Sequence, residues 1–157
     1  RGTVFRLSNS CGVPISPAVN RWTLLANDLC RQVVEKGKLT LHSNGCQFRD
    51  FVCLSDVEET VVQLLNRAKD NHHIIYNLGS GNSMRVIDMA EAILGSAISV
   101  LKKDIRLDKP IGSAPSDEPR LNYSINRLLS EGYKIQNDVG LELKRLLLFC
   151  ADHFSPL

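Results

Sequence analysis

Apolar and polar positions change their period several times along the chain, and each change marks an element. Residues 4–7 form a β-prone run that ends in a loop over 8–17 rich in Asn, Ser, Gly and Pro. Over 22–36, Trp22, Leu25, Leu29 and Val33 recur at steps of three and four, which predicts a helix stopped by Gly37. The stretch 38–43 alternates as a short strand, Asn44-Gly45 predicts a hairpin turn, and 48–54 reads as the returning strand. Ser55 and Glu58 have capping-box spacing in front of a helix whose stripe is Val57, Val61, Leu64, Leu65 and Ala68. Residues 73–79 are apolar without alternation, as expected of a strand covered on both faces. Asn82 or Ser83 then caps a helix bearing Ile87, Ala90, Ile93 and Leu94. A polar connection over 102–119 leads to two final helices, 124–131 and 138–154, the second with Leu143, Leu146, Leu147 and Cys150 on one face. Strands alternating with helices predict an α/β fold.

Composition narrows the function. At 157 residues and 43% hydrophobic, the chain can bury the core of one domain or of a large part of one. Nineteen basic against 17 acidic residues, scattered along the sequence, argue against a nucleic-acid or membrane surface as partner. No apolar run approaches the roughly 18 residues of a membrane span and no signal pattern opens the chain, so the expected location is cytoplasmic. The chain begins at Arg1 and runs straight into a strand, which reads as part of a longer protein. The five cysteines contain no Cys-x-x-Cys pair and the histidines His42, His72, His73 and His153 have no ligand spacing. The expectation is reduced core thiols and no metal.

Two stretches remain as candidate chemistry. "NLGSGNS", 77–83, is a glycine-rich turn between a strand and a helix, a place where backbone N–H groups can hold phosphate. The third glycine of a dinucleotide fingerprint is replaced by Met84, and no acid stands about 20 residues on, so a structural turn is the simpler reading. No serine in it has the Gly-x-Ser-x-Gly arrangement of a nucleophile elbow. In "QFRDFV", strand alternation puts Arg49, Phe51 and Cys53 on one face and Phe48, Asp50 and Val52 on the other. A guanidinium beside an aromatic ring suits a bidentate phosphate contact next to a stacked ring. On the residues alone, a salt bridge from Arg49 to one of the chain's 17 acids remains the default reading.

Four blocks carry a resemblance: "VFRLSNSCGVP", "QFRDFVCLSDV", "IYNLGSGNSMRVIDMAEAI" and "PSDEPRLNYSINRLLSEGYK". In order and spacing they resemble the C-terminal half of extended short-chain dehydrogenases/reductases, the NAD-dependent nucleotide-sugar epimerase/dehydratase family. The resemblance implies a substrate-binding portion with one or two strands of the parent Rossmann sheet, residues 1–12 being the last strand of that sheet with its loop and 13–157 the substrate-binding lobe. The N-terminal cofactor-binding half would then lie outside this sequence. It implies a parent enzyme that oxidises, rearranges and reduces a sugar carbon of a nucleotide-diphosphate sugar with NAD or NADP, and that dimerises through the absent half. A non-catalytic nucleotide-sugar-binding or regulatory protein of the same fold is the alternative.

Residue by residue, the resemblance implies that Asn9 contacts the substrate diphosphate and that the backbone at Leu7, Ser8 and Asn9 passes the nicotinamide. By the same likeness Arg49, with Phe51 beside it, binds the nucleotide diphosphate, Asn27 meets the nucleotide, and Asp117 lies near the ribose. The chain departs from the family at Cys11, Val13 and Ala114, where an aromatic, a proline and an arginine are usual. No catalytic residue is expected in it. Tyr76, Tyr123 and Tyr133 are followed four residues on by Ser80, Arg127 and Asn137, so the family's Tyr-x-x-x-Lys is not found and the chain alone is expected to be inactive.

Overall fold

A computed structural model describes residues 2–67, 74–110 and 118–155. His72, His73, Ala68 and Asp117 therefore lie outside the described residues. The α/β expectation holds, with seven short strands and five helices among the described residues. Strand β1 (Thr3–Leu7) pairs in parallel with β5 (Ile74–Leu78). Strand β2 (Asn9–Cys11) pairs in parallel with β4 (Phe48–Cys53), whose other edge takes β6 (Ser83–Arg85) antiparallel. Strand β3 (Lys38–Thr40) pairs in parallel with β7 (Arg106–Asp108).

Helices α1 (Leu25–Lys36), α3 (Val86–Leu101) and α5 (Val139–Phe154) surround the main core, built on Leu29, Val33, Met89, Ile93, Leu146 and Leu147. Gly37 ends α1 with φ of 65°, and its N–H reaches the Val33 carbonyl, as expected of a left-handed cap. Helix α2 (Leu54–Arg67) follows β4 directly, and α4 (Asn126–Ser130) lies against β5. A smaller core of Tyr76, Leu78, Leu128 and Tyr133 forms there. All five cysteines are free thiols, four of them buried. Burial pushes Cys150 up to about 12 and holds the Cys30 thiol well above its ordinary value, so both pack as neutral residues.

Five local expectations are corrected. The Asn44-Gly45 stretch does not turn a hairpin, because it fastens to α3: the Gly45 and Gln47 carbonyls accept from the N–H groups of Ile87 and Val86, at 2.9 and 3.0 Å. Gly45 has φ of 73°, and a Cβ there would stand 2.9 Å from Ile87 Cβ. Strand β5 is not covered twice. Tyr76 and Leu78 face the small core, whereas Ile75 is 45% exposed beside its register partner Val4, 53% exposed.

Ser55 forms no capping box, since α2 leaves β4 without an intervening residue. Its hydroxyl instead donates to Glu142 Oε2 at 2.9 Å, and the Asp56 carboxylate accepts from the N–H groups of Gln136 and Asn137, each at 2.8 Å. Helix α3 starts at Val86, not after Asn82 or Ser83, because β6 takes the intervening residues into the sheet. The 102–119 connection contains β7.

At the start of α3, Asp88 accepts from the Arg85 N–H and forms a 2.6 Å ion pair with the Arg85 guanidinium. The hydrogen bond from the Arg85 side chain holds the Asp88 carboxyl below the usual carboxylate range. Its stabilising effect is therefore complete above about pH 4 and is lost as pH falls through the lowered value. For this solvent-screened pair the effect is expected to be small. Urea unfolding should show wild type more stable than Asp88→Asn by a constant amount near neutrality, with the difference vanishing in acid. A difference that persists in acid would reject the ion pair as its source.

Candidate functional site

The site begins where β1 changes neighbours. Strand β1 lies beside β5 and both end at Leu7 and Leu78, where the Ser8 N–H still donates to the Leu78 carbonyl at 3.0 Å. One residue later the chain enters β2 and runs beside β4 instead. Parallel strands that part at their carboxyl ends leave a crevice, the usual ligand position in open α/β sheets.

Here the crevice is a cleft of about 330 Å³, lined by Leu7, Ser8, Asn9, Asp50 and Tyr123 among others. Ser8 Oγ is buried and has no hydrogen-bond partner among the described residues. A second cleft of about 390 Å³, lined by Gly12, Val19, Trp22, Asn27 and Leu54 among others, shares Ser10 and Leu24 with the first. The sequence-predicted Leu7, Ser8 and Asn9 are thus brought together, with Asn27 in the adjoining cleft.

Asn9 stands opposite Phe51 in the β2–β4 register, and Phe51 and Arg49 share a face of β4. Asn9, Phe51 and Arg49 therefore line up on one side of this sheet. Their environments differ. Asn9 is exposed, with Nδ2 donating to the Asp50 carbonyl at 3.2 Å. Arg49 is exposed, and its Nη1 donates to the carbonyl of its own neighbour Phe48 at 2.9 Å. No ion pair to Arg49 occurs among the described residues. Phe51 is 2% exposed and belongs to the main core, so its ring lines neither cleft. Asn27 is 6% exposed, and its amide holds the loop: Nδ2 donates to the Gly12 carbonyl at 2.9 Å and Oδ1 lies 3.5 Å from the Gly12 N–H.

The buried charge on β4 is Asp50, not Arg49. Asp50 is fully buried, Oδ1 accepts from the Ser80 N–H and Oδ2 accepts from the Ser80 hydroxyl, both at 2.8 Å. That clasp explains "NLGSGNS" as a structural turn. A carboxylate already occupies the Ser80 N–H, and its charge opposes a phosphate. A Cβ on Gly79 would meet Asp50 Oδ1 at 2.6 Å and the Tyr123 ring at 2.7 Å, so the turn requires glycine for space.

Tyr123 was considered in sequence only as a failed Tyr-x-x-x-Lys, yet its ring walls the first cleft and its hydroxyl donates to the Arg6 carbonyl at 2.7 Å. Burial, then the Asp50 carboxylate, pushes the Tyr123 phenol above its ordinary value, which keeps it a proton donor. Nothing in the local pattern around Tyr123 signals this position, since the contacts come from β1 and the 77–83 turn. A larger polar cavity, about 620 Å³, lies between α2 and α5 and contains none of the candidate residues. Its buried acids, Asp56 and Glu142, already hold the bonds described above.

No family model matches the chain. A curated relative, GDP-L-fucose synthase of Sinorhizobium fredii, is 29% identical over 114 residues, 73% of this chain and 34% of that protein. Among solved structures, RMD from Pseudomonas aeruginosa, complexed with NADPH, matches 96% of this chain and 48% of its own with a TM-score of 0.71 at 18% identity. UDP-glucuronic acid 4-epimerase from Bacillus cereus, in complex with UDP-glucuronic acid and NAD, matches 96% of this chain and 45% of its own with a TM-score of 0.69 at 18% identity. The chain thus spans about a third of the curated relative and just under half of these structures. Curated relatives of the chain are named for nucleotide-sugar synthesis and epimerisation, and over nearly its whole length the chain has the α/β fold of a part of these solved structures.

Proposed function

We propose that this chain is the substrate-binding portion of an NAD(P)-dependent enzyme that epimerises, dehydrates or reduces the sugar of a nucleotide-diphosphate sugar. The observation that carries the reading is the crevice where the chain passes from β1, beside β5, into β2, beside β4, with Asn9 and Arg49, a cation with no ion pair among the described residues, on one face of the adjoining sheet.

On this reading Arg49 and Asn9 hold the diphosphate, so binding energy from the nucleotide orients the sugar for reaction. Phe51 braces the strand from inside the core and Asn27 fixes the Gly12 loop over the ligand; Asp117, outside the described residues, keeps the ribose role that the resemblance implies. Leu7, Ser8 and Asn9 border the nicotinamide. The orphaned Ser8 hydroxyl at the carboxyl end of a parallel pair fits such a polar ligand. Bound NAD(P) would supply hydride acceptance and return at the sugar carbon. The general base and most of the cofactor pocket come from a companion half, through which the enzyme dimerises. The exposed Val4–Ile75 face of the β1–β5 pair is consistent with continuation into a larger covered sheet.

Thermal shift of the complete protein with NAD⁺ or NADP⁺ and a panel of UDP-, dTDP-, GDP- and CDP-sugars tests the reading. At least one nucleotide sugar is expected to raise the melting temperature well beyond the free nucleotide. No response across the panel would overturn it. Binding without turnover in an activity assay would favour the non-catalytic alternative.

A further inference from the structure

The loop that leaves β2 is gripped from two sides, and only one of the grips has a place in the proposed function. On one side the Asn27 amide of α1 holds Gly12, donating to its carbonyl at 2.9 Å. On the other stands Glu142, from the first turn of α5 at the far end of the chain. Glu142 is 5% exposed. Its Oε2 accepts from the Ser55 hydroxyl at 2.9 Å, whereas its Oε1 receives no hydrogen bond among the described residues and packs against Gly12.

The contact is close. A Cβ on Gly12 would collide with Glu142 Oε1 and stand 2.7 Å from Leu54 Cβ, so the backbone here lies directly on the carboxylate and on the first residue of α2. Glu142 also stands between two cavities: it lines the polar one between α2 and α5, while Gly12 and Leu54 line the second cleft. A buried carboxylate with a single hydrogen bond is costly to keep if packing is its only role, since an apolar side chain of similar volume would fill the space without that cost. What the carboxylate adds is a fixed direction. The Ser55 bond sets the angle of the side chain, and the second oxygen then sets how closely Gly12 approaches α5.

We propose, on the basis of the nucleotide-sugar site above, that Glu142 is a positioning residue of that site. Seated by Ser55, it fixes the height of the Gly12 loop beside the second cleft, and so carries the placement of the C-terminal helix into ligand binding. It acts through Gly12 and touches no ligand. Its reach is local: Gly12 follows Cys11, which stands opposite Cys53 at the end of β4, whereas Arg49 lies at the start of that strand. Contacts to the sugar portion therefore depend on Glu142, and the diphosphate contact at Arg49 does not.

The test is calorimetric titration of the complete protein, loaded with NAD⁺, with UDP-glucose, GDP-mannose and dTDP-glucose and with UDP, GDP and dTDP, together with amide hydrogen exchange of the peptide covering 9–14. Glu142→Ala is expected to weaken the best-binding nucleotide sugar about tenfold, as a small displacement of a substrate-positioning loop does, while the matching free nucleotide stays within about twofold. Exchange over 9–14 should speed severalfold. Glu142→Gln has the same size and still accepts from Ser55, so it should keep the wild-type affinity. Ser55→Ala removes an exposed hydroxyl, leaves the core intact and should show the same split in smaller measure. Equal losses for nucleotide sugar and free nucleotide, unchanged exchange over 9–14, or a lowered melting temperature with unchanged affinity overturns the inference and leaves the nucleotide-sugar reading standing. Absence of binding by every nucleotide sugar to the wild type removes the underlying reading and this inference with it.

Discussion

Arg49→Ala in the complete protein is expected to weaken binding of the nucleotide-diphosphate sugar by about 10- to 100-fold, the loss of about 1.5 to 3 kcal/mol from a charge-assisted fork. The melting temperature should hardly move. Arg49 is exposed and its hydrogen bond goes to the carbonyl of the adjacent Phe48, so nothing distant in the fold hangs from it. Arg49→Lys should recover only part of the affinity, because an ammonium keeps the charge and loses the planar pair of donors. Titration of the ligand together with thermal melting separates the outcomes. Unchanged affinity with a lowered melting temperature would return Arg49 to a structural role and remove the diphosphate contact from the proposed function.

Asp50→Ala should do the reverse and act first on the fold, costing about 2 to 4 kcal/mol. The substitution empties a fully buried position and strips the Ser80 N–H of its acceptor. The Ser80 hydroxyl suffers less, since the Asn82 carbonyl lies 2.9 Å away and can take its proton. Asp50→Asn should cost about 1 kcal/mol, because an amide oxygen still accepts from the Ser80 N–H. Urea unfolding of both variants measures the difference. Equal losses would mean that the negative charge, not the acceptor geometry, matters at this position. Ligand affinity should fall with Asp50→Ala too, because the 77–83 turn, Tyr123 and the Asn9 side chain all meet around this residue.

The two neighbours Arg49 and Asp50 show what could and could not be read from residue order. Alternation puts them on opposite faces, yet alternation alone does not say which of the two side chains is buried. That depended on Ser80, 30 residues away, whose N–H and hydroxyl make burial of a carboxylate tolerable. Phe51 is a similar case. Its place beside Arg49 suggested a stacking ring, but α1, α3 and α5 close over it and turn it into core. The Asn44-Gly45 turn failed as a hairpin signal because its carbonyls had partners on α3 that no local pattern announces.

Local chemistry by itself determined that the helices exist and how two of them are capped. Gly37 after the 22–36 stripe, and Asp138 before the last helix with its side chain accepting from the Leu141 N–H at 3.0 Å, act within a turn or two of themselves. The α/β class and the four motif blocks were likewise legible, since they depend on period and order along the chain. Which strand pairs with which, where the chain passes from β1 beside β5 to β2 beside β4, and that Tyr123 walls the cleft were decided only in three dimensions. Each of these depends on groups far apart in sequence meeting in one place, and hydrogen-bond satisfaction and packing select that meeting from many that the sequence pattern alone permits.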